Sequence, residues 1–380
     1  MEDALQYSLQ TLGFRFNPFK HLEASQDPHL SEYLVGHHSF NLVNEQVPAV
    51  VLAPPGAGKT AMLIYTARSC ALAFGRNRPF PIMYALPEAI GDTSQELSLD
   101  QHQAHILRRG ATSLFTGLAF HPECFLNLTA ADQYRVTGLL RGLMQTPPLD
   151  YYLGLLSTGN PQRLANRFDR SYTFLPLPTP QHVKELCSAL KNASQTADAT
   201  RPSLKDFAII VQEILKFQKI FVLVDGIDGF AGSANNPLKA AELINPLLEQ
   251  TMDWAGQDLI IKGFFPPEVA SYLAFPGSIQ SILLDWTSDK LAQVLRRRVY
   301  CATDGQFETL DALCNIGLRG LENTLAEVVI PLPREIIWLA NRLLLAFEQR
   351  HGAGGETLLK SDLDQAIEAY QTQGFAVRAT

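Results

Sequence analysis

The stretch Ala53-Pro54-Pro55-Gly56-Ala57-Gly58-Lys59-Thr60 sets small residues, a lysine and a hydroxyl at the spacing G-x-x-x-x-G-K-[ST], with Ala53 replacing the first glycine. That combination suits the binding of phosphate. Amides of Ala57, Gly58, Lys59 and Thr60 at the start of a helix would point at an anion, where the helix terminus favours negative charge. Pro54 and Pro55 remove two amide donors and leave those four. Gly58 admits close backbone approach, Lys59 can bridge β- and γ-phosphates, and the Thr60 hydroxyl can ligate Mg²⁺. Pro55, Gly56 and Ala61 complete the expected contact set. A second half is found in Ile220-Phe221-Val222-Leu223-Val224-Asp225, an apolar strand ending in an acid. Asp225 is the candidate metal holder. Asp228, three residues on, is the candidate carboxylate that orients and deprotonates an attacking water.

These residues need a strand, a tight loop and a helix to position them. Val47 to Ala53 is a continuous apolar, β-branched run of the kind buried on both faces of a parallel sheet, and the periodic stretch after Lys59 reads as a helix ending near Gly75. Further strands are expected at 80–86, 219–224, 258–264 and 278–284, with helices between them, as in a parallel α/β sheet with right-handed crossovers. Residues 97–205 form a large helical insertion, with amphipathic stretches at 99–120 and 130–144, and another follows at 204–218. The small polar run 191–203 reads as a linker. Beyond Trp286 the pattern is helical only, at 288–300, 308–313, near Leu321, at 333–350 and at 360–370. The expected organisation is an entry segment at 1–46, an α/β core at 47–286 and a helical lid at 287–380.

The chain has 380 residues, 46 % of them apolar and 18 % charged, which places it among folded proteins. With 31 basic against 38 acidic side chains the net charge is −7, which disfavours nucleic acid without excluding it. A local basic surface at Arg108, Arg109, Arg163, Arg167 and Arg170 is the exception to test, in a DNA-stimulated variant of the activity. Five cysteines without a Cys-x-x-Cys pair give neither a disulfide framework nor a thiolate zinc site. His37 and His38 are adjacent and lack accompanying carboxylate spacing, so a metal site is not expected there. The acidic start MEDALQ and the lack of a long apolar run point to a cytoplasmic protein with no membrane span.

The two motifs together resemble the P-loop ATPases of the AAA+ and STAND groups, and VLVDGID is similar to the NACHT-type Walker B. Here Gly229 stands where an acid usually follows the second Asp. The segment GFRFNPFKHLEASQDPHLSEYLV resembles the entry stretch of bacterial secretion and transposition ATPases, which implies that Tyr33 to Val35 contact adenine. The resemblance implies a P-loop NTPase fold, ATP or ADP and Mg²⁺ as cofactors, and two sensors: Lys262 on the strand after Walker B and Arg334 of the Pro333-Arg334 pair. It also implies an arginine finger just before the last strand, yet Gly263 to Ser288 contains no Lys or Arg. Arg296, Arg297 and Arg298 are the alternative source. The activity so implied is slow ATP hydrolysis by a nucleotide-controlled switch or assembly ATPase that acts on a separate partner protein, with self-association possible, as in a bacterial defence or mobile-element system. A non-hydrolysing nucleotide-bound scaffold is the alternative.

Overall fold

The computed structural model describes residues 9–72, 74–75, 78–86, 97–194, 202–227, 236–274, 279–315, 318–351 and 357–378. The chain divides into two units that alternate along the sequence: Met1–Ser39, Ala53–Ala61 and Leu283–Thr380 form the first, and Phe40–Leu52 with Met62–Ile282 form the second. The entry segment as far as Ser39 and the C-terminal helical region thus share a unit with the glycine loop, while 40–46 fall in the other.

The second unit is built on a five-stranded sheet: β1 (Ala49–Leu52), β2 (Pro79–Ala85), β3 (Lys219–Asp225), β4 (Leu259–Phe265) and β5 (Gln280–Leu283), in the order β2-β3-β4-β1-β5. The pairs β1–β4, β2–β3 and β3–β4 are parallel. Val222, Leu223 and Val224 are wholly buried, as a strand covered on both faces requires. In the register, Val50 is level with Gly263 and Gly263 with Val224. The last residues of β1 and β3 therefore lie at the same end of the sheet. From β1 the chain goes to the far edge, whereas β2, β3 and β4 each step back towards β1. Such a reversal marks the carboxyl end of the strand where α/β sheets place their ligands.

Helix α1 (Lys59–Ala71) follows the loop after β1. The region expected to be helical carries α2 (Leu99–Phe120), α3 (Ala130–Leu143) and α4 (Pro180–Ser194), with shorter helices between them. Helix α2 starts on a capping box, Ser98 accepting from Gln101 N–H while the Gln101 side chain accepts from Ser98 N–H. It packs on β2, where Ser113 Oγ donates to Pro81 O at 3.1 Å and Arg109 Nε to Met83 O at 3.3 Å. Behind β2, Tyr84 Oη bonds His102 Nδ1 at 2.7 Å and His102 Nε2 bonds Leu243 O at 2.9 Å. The helix expected over 204–218 stops sooner. Helix α5 (Leu204–Ile209) passes into a π turn, Ile210–Ile214, and Lys216 adopts φ 62° as the chain turns into β3. Helix α6 (Pro237–Leu248) lies between β3 and β4.

In the first unit, α7 (Ser288–Ala302), α8 (Leu321–Val328), α9 (Pro333–His351) and α10 (Lys360–Arg378) close over a core that includes Leu295, Leu325, Ile336, Leu343 and Phe347. Leu9, Phe14 and Phe19 of the entry segment are buried in the same core. The entry segment carries a short helix, Leu30–Tyr33, and the stretch expected to be helical at 308–313 forms a 3-10 turn, Leu310–Leu313. Among the described residues no helix is long and apolar enough to cross a membrane.

Candidate functional site

The glycine loop keeps a backbone path that its sequence permits. Gly56 and Gly58 hold φ of 84° and 94°, conformations open to glycine at little cost and strained for other residues. Between them Ala57 is buried, and its N–H donates to Pro54 O at 3.2 Å, closing a turn. That amide was expected to face an anion and is instead used within the loop. Helix α1 then starts at Lys59, so its first amides face the loop. Lys59 is buried, and its ammonium donates to Ala53 O at 2.8 Å, so the side chain spans the loop from end to start. Thr60 and Ala61 are half-buried in the first helical turn, and Pro55 is exposed.

Two elements of the same unit grip the loop through its carbonyls. The Trp286 indole Nε1–H donates to Ala57 O at 2.8 Å, and Arg334 N–H, at the start of α9, donates to Gly56 O at 3.2 Å. A Cβ on Gly56 would lie 2.9 Å from Arg334 Cβ, so only glycine fits this approach. The Arg334 guanidinium donates to Glu23 at 2.6 Å, while its Nε is buried with no partner among the described residues. Arg334, the expected sensor, is therefore next to the loop, and its charge is shared with an acid of the entry segment.

Tyr33 and Val35, the expected adenine contacts, diverge. Tyr33 turns inward: its hydroxyl donates to Asp27 and the Arg298 guanidinium lies 4.2 Å from its ring centre. Burial raises its pKa well above the usual tyrosine range. Val35 instead lines a cavity of about 510 Å³ together with Leu34, Gly36, Arg296, Arg297 and Tyr300. Arg298 takes no part in that cavity, since it donates to Pro18 O and, at 3.2 Å, to Asp27. Of the three arginines weighed as a finger, this one is a buried structural group.

In the other unit Asp225 closes β3, and its carboxylate accepts Gly226 N–H at 2.8 Å while Gly226 holds φ 88°. Asp228 and Gly229 lie outside the described residues. Lys262 departs from the expected sensor. It sits mid-strand, wholly buried, and its Nζ donates to Glu45 O and Val47 O, both at 2.6 Å. Those carbonyls precede β1, at the opposite end of that strand from the glycine loop. Burial lowers the Lys262 pKa to about 7, and a neutral amine has two N–H donors for the two carbonyls it meets.

The chain matches no protein-family model, no curated protein and no solved structure. His37, His38 and Asp285 bring their ligand atoms within 4.8 Å of one another, a juxtaposition that the sequence reading did not anticipate. Both His37 nitrogens are engaged, however: Nδ1 accepts Ser39 N–H at 3.2 Å, which leaves Nε2 as the donor to Asp285 O at 2.6 Å. A metal would have to break one of these bonds. The expected basic surface is also reduced, because Arg109 turns to Met83 O. Trp286 and Glu23 were not singled out from sequence. Their partners are 229 and 311 residues away, and nothing local to either marks it.

Proposed function

We propose that the chain binds ATP or ADP with Mg²⁺, hydrolyses the triphosphate slowly, and through that cycle switches or assembles a separate partner protein. One observation carries the reading: a loop with two left-handed glycines leaves the carboxyl end of β1, opens a helix at Lys59 and is spanned by the lysine's own ammonium. Helix amides and a buried cation together favour an anion, and a phosphate accepts stronger bonds from an ammonium than a carbonyl does. The loop's Lys59, Gly58 and Thr60 hold the phosphates. A hydroxyl on Thr60 and a carboxylate on Asp225 are hard oxygen donors of the kind Mg²⁺ prefers, and the ion would supply charge neutralisation for the phosphate oxygens. Asp228 takes the proton of the attacking water. Arg334 reports occupancy of the loop to α9, and Val35 borders the base. Lys262 has no role in this scheme.

Calorimetric titration with Mg-ATP and Mg-ADP, followed by phosphate release, tests the reading beside Lys59→Ala and Asp228→Asn. Micromolar binding lost in the first variant, and turnover lost with binding retained in the second, are the expected results. A wild-type protein that binds neither nucleotide sinks the proposal. A second reading, a nucleotide-bound scaffold without turnover, draws support from the Arg334–Glu23 pair and from Lys262, which leave neither expected sensor charge uncommitted. It requires binding with no phosphate release from the wild type.

A further inference from the structure

Ala57 O is anchored by the Trp286 indole at 2.8 Å, and this fixes more than a carbonyl. In a trans peptide the carbonyl and the following N–H point in opposite directions. Holding Ala57 O from behind therefore turns Gly58 N–H to the other side of the loop, and Gly58 N–H has no partner among the described residues. The indole also rests on the loop, since a Cβ on Gly58 would lie 3.8 Å from Trp286 Cζ2. Trp286 is itself held. The His37 ring lies 5.3 Å from it between centroids, and His37 is tied to the preceding residue through Nε2–H and Asp285 O. On its other side Thr287 caps α7, its side chain accepting Lys290 N–H.

We propose that Trp286 is a positioning residue of the phosphate loop: its indole N–H sets the 57–58 peptide so that Gly58 N–H faces a bound phosphate, and loop occupancy is passed to α7 through the same bond. This rests on the nucleotide reading above. The test uses the full chain, Mg-ADP and the indole ¹H–¹⁵N resonances of its three tryptophans. The resonance of Trp286 is the one missing in Trp286→Phe; Trp254→Phe and Trp338→Phe assign it by elimination if that variant does not fold. On saturation with Mg-ADP the Trp286 resonance should shift while those of Trp254 and Trp338 stay in place, and Trp286→Phe should bind Mg-ADP about tenfold more weakly with its melting temperature little changed. A merely structural tryptophan would not give the selective shift. Saturation with an unmoved Trp286 resonance, or a folded Trp286→Phe that binds within twofold of wild type, overturns the inference and leaves the nucleotide reading standing. Absence of wild-type binding removes both.

Discussion

Two buried lysines, Lys59 and Lys262, end on backbone carbonyls, and they sit in surroundings of opposite character. Around Lys59 the chain turns through two left-handed glycines into the first turn of α1, whose leading amides have no acceptor within the helix. The Lys262 ammonium donates to the carbonyls of Glu45 and Val47, with the Phe221 ring centre 5.1 Å away. Carbonyls repel an anion that amides would welcome. On the proposed reading, a buried lysine marks an anion site only where amide donors of the backbone accompany it.

The largest effect expected from this contrast is on ligand affinity. Lys59→Met should weaken Mg-ATP binding by about a hundredfold, the loss of a charge-assisted contact, whereas Lys262→Met should leave it within threefold. Equal losses in both variants, read by calorimetry, would erase the distinction. Next is stability against pH. Lys262 titrates at about 7 in the fold and at 10.5 when unperturbed, so between those values the unfolded chain binds the extra proton. Stability should therefore rise with pH across that window, by up to about 1.4 kcal/mol per unit, and be independent of this group below it. Urea midpoints at pH 7 and 9 should move apart in the wild type and draw together in Lys262→Met.

The strands that frame this contrast were legible. Expected strands at 219–224 and 258–264 appear at Lys219–Asp225 and Leu259–Phe265, because β-branched apolar runs bounded by polar residues leave little choice. The helices expected at 288–300 and 333–350 appear at Ser288–Ala302 and Pro333–His351, where apolar residues recur with the helical period. Residue roles that depend on distant partners were not. Lys262 stood out as a lone base in an apolar strand, but its carbonyl partners lie 217 and 215 residues earlier. Tyr33 is drawn inward by Arg298, which no local pattern links to it.

A smaller effect separates two glycines. Gly56→Ala meets both φ 84° and the Arg334 stem at 2.9 Å, and should cost about 1–3 kcal/mol of stability and weaken nucleotide binding; Gly154→Ala, with nothing within 4 Å of its Cβ, should do neither. Thermal melts of the pair decide it. The smallest effect concerns the half-exposed acid on Arg334. Glu23→Gln should raise nucleotide affinity about twofold, in line with the modest strength of such pairs, and that gain should fade with added salt.

The outer margin of β2 has a consequence for behaviour at high concentration. Prolines at 79 and 81 offer no N–H, and the carbonyls of Pro81 and Met83 already accept from Ser113 and Arg109 of α2. A strand from a second molecule would find few free ladder groups there, so sheet-to-sheet polymerisation is blocked on that side for as long as α2 stays docked.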